Sequence, residues 1–100
     1  MSALIRYRAE ARIEYSDAIA YFEEEKPGLG SDFEAEVEAC IGSIALYPDR
    51  YPIILGDVRE AAVSRFPYCI YYFRFTNTDM VMILSVYHQS RDPDGWKNRR

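Results

Sequence analysis

The sequence predicts an α+β fold in which a helical hairpin packs on a small antiparallel sheet, in the order β-α-α-β-β-β-α. Apolar residues recur at helical spacing in residues 9–46, whereas they alternate or run continuously in residues 57–87. The proline-bearing residues 47–56 separate the two regions. A chain of 100 residues fits one modest core, so residues 1–100 are expected to form a single domain.

The first two elements are a strand and a helix. Leu4–Arg8 alternates between apolar and charged residues, which favours a short strand. The helical spacing begins at Ala9 and ends near Lys26, because Pro27 and Gly28 follow. The charged residues of this helix are expected to form a solvated face: Arg12, Glu14, Asp17, Glu23 and Glu24.

A second helix is predicted to end near Leu46, before Pro48, with Ser31 or Asp32 as its N-cap. Its apolar stripe comprises Leu29, Phe33, Val37, Cys40, Ile41 and Ile44. Gly42 lies inside this helix, where glycine costs about 1 kcal/mol relative to alanine. We therefore expect another backbone to approach Gly42 closely, and the short linker makes the two helices antiparallel neighbours.

The second half is predicted to be a loop and three strands. Residues 47–56 are expected to be a loop leading into the strand Asp57–Arg65. Its alternation places Arg59 and Arg65 on one face. The next strands, Tyr68–Phe75 and Met80–Tyr87, are apolar on both faces and are expected to be central.

Two short connections complete the predicted chain. Thr76–Asp79 carries turn residues and is expected to close a hairpin. Asp92 is expected to cap a short helix that starts at Pro93 and runs through Trp96.

The net charge of −4 is unevenly distributed along the chain. Residues 1–49 have four basic and eleven acidic residues, a net charge of −7. Residues 50–100 have eight basic and five acidic residues, a net charge of +3. We therefore expect an acidic helical half and a basic strand half, and the acidic total argues against indiscriminate nucleic-acid binding.

Cysteine and histidine content gives no pattern for a metal site. Cys40 and Cys69 lie in apolar runs without a CxxC spacing, and the chain has one histidine. We expect both thiols to be reduced, and we expect no metal and no cofactor. Residues 1–8 lack the apolar segment of a signal peptide, and no run has transmembrane length, so a cytoplasmic protein is expected.

The ordered set of residues resembles the RelE/ParE superfamily of toxins from type II toxin–antitoxin modules, over almost the whole chain. The matching positions in the helical half are Glu14, Ala18, Tyr21-Phe22, Pro27-Gly28-Leu29-Gly30, Phe33 and Val37. Those in the strand half are Pro48, Tyr51-Pro52, Val58-Arg59, Arg65-Phe66-Pro67-Tyr68, Ile70-Tyr71-Tyr72, His88, Arg91-Asp92-Pro93, Trp96 and Arg99.

The resemblance implies a growth-inhibiting toxin of a plasmid-stabilisation module. It also implies neutralisation by a cognate antitoxin, with which the toxin forms a hetero-oligomer. Two targets are open. ParE-like members are thought to poison DNA gyrase, whereas RelE-like members cleave mRNA in the ribosome. An inactive module that only binds the antitoxin is the third alternative.

The nuclease alternative has candidate residues. Metal-free RNA cleavage needs an acid, a base and cations for the phosphate, and His88, Arg59 and Arg65 carry those groups. Tyr72 or Tyr87 would stack a base. Against this, the chain has only two lysines, where the RNA-cleaving branch has a lysine-rich patch.

The favoured hypothesis is therefore a gyrase inhibitor that acts by binding. Its target-binding residues are expected to be Arg59, Arg65, His88, Arg91 and Trp96. Four of these residues also have a structural alternative: His88 as a hydrogen-bonding anchor, Arg59 paired with the neighbours of Glu60 or with an acidic helix residue such as Glu14, Arg91 paired locally with Asp92, and Trp96 as a core residue. A helical antitoxin is expected to cover the groove beside the helical hairpin and the sheet.

Overall fold

The computed structural model describes residues 2–100 and contains two helices and five strands in one α+β unit. The elements are β1 (Leu4–Tyr7), α1 (Ala9–Glu25), α2 (Leu29–Leu46), β2 (Ile53–Leu55), β3 (Val58–Ala62), β4 (Tyr68–Arg74) and β5 (Met80–His88), followed by a 3-10 turn at Lys97–Arg99. This arrangement confirms the predicted fold class.

The sheet has the order β1-β5-β4-β3-β2 and differs from the prediction in two respects. The predicted loop contains β2, which pairs with β3. In addition, β1 is parallel to β5, so the sheet is not wholly antiparallel. The helical hairpin intervenes between β1 and the rest of the sheet, and local sequence patterns carry no information about the partner of so distant a strand.

Each face of the sheet is covered by a different part of the chain. The helical hairpin packs on one face, where Phe33 and Val37 of α2 meet Ile70, Tyr72 and Ile83 in one buried cluster. The opposite face carries a second cluster, formed by Val58, Phe73, Leu84, Tyr87 and Trp96. The covering of both faces explains why β4 and β5 are apolar throughout.

The two helices of the hairpin make contacts with each other that helical periodicity does not predict. An added Cβ at Gly30 would lie 2.7 Å from the carbonyl oxygen of Ile19, whereas nothing lies within 4 Å of such an atom at Gly42. Close backbone approach therefore occurs at Gly30, and the expectation for Gly42 is wrong.

The predicted caps Ser31 and Asp32 are also wrong, because α2 begins at Leu29 after Gly28. The Glu23 carboxylate accepts hydrogen bonds from the backbone N–H groups of Gly28, at 2.9 Å, and Gly30, at 3.1 Å. Glu23 thus connects the end of α1 to the start of α2 through backbone N–H groups. The expectation that Glu23 only contacts solvent is wrong.

The C-terminal segment is a series of turns and not the predicted helix over 92–96. Trp96 is 2% exposed and stacks on Tyr71, with 4.1 Å between the ring centroids. Arg100 makes two hydrogen bonds of 2.8 Å to the carboxylate of Asp57. These contacts hold the segment on the sheet face that the helices leave free.

Within residues 2–100, neither helix combines the length and the apolar character that a membrane span requires.

Candidate functional site

Two adjoining clefts lie where the end of β5 meets α1, and both are lined by Tyr21, Tyr68, His88 and Arg91. The inner cleft, of about 240 Å³, is completed by Glu14, Asp17, Ala18 and Val86. The outer cleft, of about 360 Å³, is completed by Phe22, Pro67 and Ser90. The two predicted residues His88 and Arg91 therefore meet here.

His88 has a defined hydrogen-bonding state. Its Nδ1 accepts a hydrogen bond of 3.0 Å from the backbone N–H of Ser90, and the Ser90 hydroxyl lies 2.7 Å from the same nitrogen. Because the lone pair of Nδ1 is used in this way, the neutral ring carries its proton on Nε2. The ring also packs edge-on against Tyr68, at 5.1 Å between centroids. His88 is thus an anchor of the turn that keeps one N–H as a donor.

Arg91 contributes a largely accessible cation. Its side chain is 55% exposed and lies over the Tyr87 ring, with the guanidinium carbon 4.6 Å from the centroid. One nitrogen is 3.5 Å from the Glu14 carboxylate. This long contact leaves the remaining N–H groups of Arg91 open to a ligand.

Glu14 is the centre of a network that the prediction of a solvated face missed. Its side chain is 11% exposed and accepts hydrogen bonds from the Ser85 hydroxyl, at 2.7 Å, and from the Val86 backbone N–H, at 3.3 Å. Arg99, 12% exposed, donates to the same carboxylate at 2.9 Å and to the Leu84 carbonyl at 3.2 Å. This hydrogen bond to Glu14 raises the pKa of Arg99.

Glu14 makes its contacts beside an irregularity in β5. Tyr71 of β4 pairs with Ser85 and Tyr72 pairs with Ile83, so β5 has one extra residue between them. Such a bulge disrupts the hydrogen-bonding ladder locally. Pairing with β1 also ends at Ile83. Side chains from α1 and the C-terminal segment satisfy the backbone groups that follow.

Arg59 lies away from the clefts and is largely buried. Its guanidinium donates to the carbonyl oxygens of Tyr51, at 2.6 Å, and Asp49, at 3.1 Å, and its side chain is 20% exposed. The alternative that Arg59 pairs with Glu14 is wrong, since its ionic partner is Asp49, at 3.8 Å. Arg59 therefore holds residues 49–51 against β3.

Arg65 does not share a strand face with Arg59, because β3 ends at Ala62. Arg65 lies in the β3–β4 connection with a positive φ of 70°. Its exposed side chain pairs with Glu36 of α2, at 3.1 Å. The expected two-pronged clamp of Arg59 and Arg65 is consequently not formed.

Three predicted aromatic residues are buried. Tyr72 donates a hydrogen bond of 2.7 Å to the Pro48 carbonyl, and Tyr87 donates one of 2.6 Å to the Asp92 carbonyl. Neither ring has a free face for stacking a base, because both rings are in the core clusters. Trp96 is a core residue as well, in agreement with its structural alternative.

The basic strand half is largely neutralised by the fold. Seven of its eight cations form ion pairs within the chain: Arg59, Arg65, Arg74, Arg91, Lys97, Arg99 and Arg100. In the part of the chain that the structure describes, the cations outside such pairs are Arg6, Arg8, Arg12, Lys26 and Arg50. The sequence-based division into an acidic and a basic face therefore does not describe the folded surface.

Tyr68 contributes an uncharged donor to both clefts. Burial, followed by the proximity of Tyr21, raises the pKa of Tyr68, so its hydroxyl is protonated at neutral pH. Residues 2–100 contain no group of three or more histidine, cysteine, aspartate or glutamate side chains placed to hold a metal ion. The clefts can accordingly bind by hydrogen bonding, by charge and by aromatic contact.

Sequence reasoning found His88 and Arg91 but not the residues around them. Tyr21 and Tyr68 were noted as parts of the family resemblance, and Glu14 was also placed on the solvated face of α1. A usable signal for Tyr21 was its position beyond the apolar stripe of α1, since an exposed aromatic residue there is unusual for a solvated helix face.

Comparison with known proteins agrees with this architecture. A solved structure described as "Chromosomal ParDE TA system from P. aeruginosa" matches with a TM-score of 0.74 and 10% sequence identity, covering 87% of this chain and 96% of that chain. At this identity the match shows a shared fold. No curated protein matches the sequence. The family model described as "ParE toxin of type II toxin-antitoxin system, parDE" matches residues 5–93. Because that match spans most of the chain, the protein belongs to the ParE toxin family of type II toxin–antitoxin systems.

Proposed function

We propose that the protein inhibits growth by binding DNA gyrase and that a cognate antitoxin neutralises it. The observation that carries this proposal is the dispersal of the residues expected to cleave RNA. Arg59 pairs with Tyr72 in the sheet, whereas His88 pairs with Tyr68, four residues earlier in β4. Four residues correspond to about 13 Å along a strand.

The state of His88 supports binding over RNA cleavage. A general base for the 2′-hydroxyl needs a free lone pair within hydrogen-bond reach. The Nδ1 lone pair of His88 is used by Ser90, and Nε2 carries the proton. His88 is therefore suited to donate a hydrogen bond to a partner.

Within the proposal, the five predicted residues have different roles. His88 and Arg91 contact the target directly from the clefts, and the exposed Arg65, two residues before the cleft residue Pro67, adds a further contact. Arg59 and Trp96 maintain the surface, Arg59 through Tyr51 and Trp96 through Tyr71. Substitutions of the first group are expected to change binding, and those of the second group to change stability.

The target proposal is tested by inducible expression with parallel measurements of gyrase supercoiling and mRNA integrity. We expect the wild-type chain to inhibit supercoiling and Arg91→Gln to inhibit it at least about tenfold more weakly, since a hydrogen bond to a charged group contributes roughly 1.5–3 kcal/mol. Arg50→Gln is the matched control, because Arg50 forms no ion pair within residues 2–100 and lines neither cleft. Ribosome-dependent mRNA cleavage with unaffected gyrase contradicts the proposal.

The antitoxin is proposed to cover the groove between the helical hairpin and the sheet. Ile13 and Tyr21 are exposed apolar residues of α1, eight positions apart and therefore on one side of the helix. They are suited to contact an apolar face of a partner helix. Ile13→Asp is expected to weaken binding of the product of the adjacent small gene by at least about tenfold.

The control for the antitoxin measurement is Ile54→Asp, which changes an exposed residue of β2 at the far edge of the sheet. Calorimetric titration measures both variants. Equal affinities of the two variants contradict the proposed antitoxin surface. A chain that binds the antitoxin but leaves growth unaffected when expressed alone contradicts the toxin activity itself.

A further inference from the structure

We propose that the outer cleft binds a carboxylate group carried by a protein partner, either an acidic side chain or a C-terminal carboxylate next to an apolar residue. The inference rests on the proposed function in taking the partners of the protein to be proteins. It concerns the chemistry of recognition and does not depend on gyrase being the target.

The first argument is the set of unused donors. His88 presents Nε2–H, because Nδ1 accepts from Ser90. Arg91 has N–H groups beyond its single long contact with Glu14. The hydroxyl groups of Tyr21 and Tyr68 have no hydrogen-bond partner among residues 2–100. Four side chains that line one cleft and keep at least one donor without a partner in residues 2–100 fit the oxygens of an anionic group.

The second argument is the distribution of charge between the two clefts. Glu14 and Asp17 line the inner cleft, but no carboxylate lines the outer one. The Glu14 charge is also compensated by Arg99, at 2.9 Å. An anion in the outer cleft thus meets Arg91, whose ionic partner Glu14, at 3.5 Å, lines only the inner cleft and also pairs with Arg99.

The third argument is the shape and the apolar wall of the outer cleft. Its volume of about 360 Å³ is at the lower end for ligand sites and suits one or two residues of a partner chain. Phe22 and Tyr68 form an edge-to-face pair, with 5.9 Å between centroids, and Tyr21 packs on Phe22 at 5.2 Å. This wall favours a carboxylate attached to an apolar or aromatic group.

The charge balance favours a protein carboxylate over a nucleic-acid phosphate. Binding to a phosphate backbone relies on several cations that replace counterions. The outer cleft has one cation, Arg91, and Asp17 lies in the adjoining cleft. With a net charge of −4, the chain also repels a polyanion at long range.

The experiment uses the imidazole signal of His88 in a ¹H–¹³C NMR spectrum, which is unambiguous because the chain has one histidine. The probes are N-acetyl-phenylalanine, its amide N-acetyl-phenylalaninamide, and phenyl phosphate. We expect N-acetyl-phenylalanine to shift the signal saturably, with a dissociation constant on the order of 1–10 mM. The amide is expected to bind at least about tenfold more weakly, because it lacks the charge.

Two variants make the outcome decisive. Arg91→Gln is expected to weaken binding of N-acetyl-phenylalanine about tenfold, and Tyr68→Phe about threefold, since the latter loses only a hydroxyl group. Arg50→Gln is expected to bind like the wild type. Circular dichroism verifies that each variant is folded.

The inference is overturned if the acid and the amide bind alike, if neither shifts the signal at about 50 mM, or if Arg91→Gln binds like the wild type. Phenyl phosphate binding more than about tenfold tighter than the carboxylate also overturns it, in favour of a nucleic-acid phosphate. Failure of the gyrase proposal leaves these measurements unaffected, because they use the purified chain alone.

Discussion

Replacing Glu14 by alanine tests the network that joins α1, β5 and the C-terminal segment. The Glu14 carboxylate accepts from the Ser85 hydroxyl, the Val86 backbone and Arg99. Its removal leaves the fully buried Ser85 hydroxyl without a partner and leaves the Arg99 guanidinium with only the Leu84 carbonyl. A mutation at one position of α1 is therefore expected to loosen contacts made more than 70 residues later.

The magnitude follows from the burial of the ion pair. Glu14 and Arg99 are 11% and 12% exposed, and breaking a buried pair by removing one partner costs about 3–5 kcal/mol. We expect Glu14→Ala to lower the free energy of unfolding by this amount. At about 4–8 °C per kcal/mol, the melting temperature should fall by roughly 12–40 °C. Glu14→Gln retains an acceptor for Ser85 and Val86 but loses the charge, so a loss of about 1–2 kcal/mol is expected.

Urea unfolding and thermal melts followed by circular dichroism measure these differences. Glu24→Ala is the matched control, because Glu24 is an exposed acid of the same helix without an ion pair in the described chain, and its effect should stay within about 0.5 kcal/mol. A double-mutant cycle with Arg99→Met should give a coupling energy above about 1 kcal/mol. The network is refuted if the losses in the free energy of unfolding from Glu14→Ala and Arg99→Met are additive. It is also refuted if Glu14→Ala costs no more than the control Glu24→Ala.

Three further predictions concern the helical hairpin and its buried groups. Gly30→Ala should destabilise the protein by about 1–3 kcal/mol, because the added Cβ meets the neighbouring helix. Gly42→Ala should stabilise it by about 0.5–1 kcal/mol, because the added Cβ lies in open space. Chemical denaturation measures both variants, and changes in the free energy of unfolding that have the same sign contradict the packing. Burial raises the pKa of Cys40 to about 11 from its ordinary 9.0. At pH 8 the thiolate fraction of Cys40 should therefore be about 100-fold lower than that of an exposed cysteine. Its labelling by a disulfide reagent should be correspondingly slow until denaturant is added. Burial and the hydrogen bond to Glu38 raise the pKa of Tyr15. As the pH rises above about 10, the Tyr15 hydroxyl loses its proton in the unfolded chain but keeps it in the folded one, so the stability of the folded chain should fall. Tyr15→Phe should make the melting temperature less sensitive to pH between about 9 and 11.

The elements that could be predicted from the sequence are those whose signals are local. The helix α2 ends at the predicted residue Leu46, since Pro48 follows, but it begins at Leu29, before the predicted caps. The strands β4 and β5 likewise follow from their apolar runs. The strand β2 was not predicted, because Ile53–Leu55 follows a proline and is stabilised by pairing with β3.

The roles of charged residues were predicted less well, because periodicity describes one helix at a time. Glu14 and Glu23 occupy positions that point away from the stripe of α1, yet Glu14 reaches β5 and Glu23 reaches the start of α2. Arg59 and Arg65 were placed together by strand alternation, but β3 ends before Arg65. In each case the partner belongs to another element, whose position the local pattern does not contain.

The sequence by itself determined the α+β class, the helical hairpin, the central strands and the resemblance to the toxin superfamily, because these depend on local periodicity and on an ordered set of residues. Only the tertiary structure decided which cations remain available to a partner and which hold the fold together. It gathered His88 and Arg91 with Tyr21 and Tyr68, and it placed Arg59 and Trp96 in supporting positions. The physical reason is that ion pairing and burial depend on distances between residues far apart in the chain, which follow from the packing of all elements together.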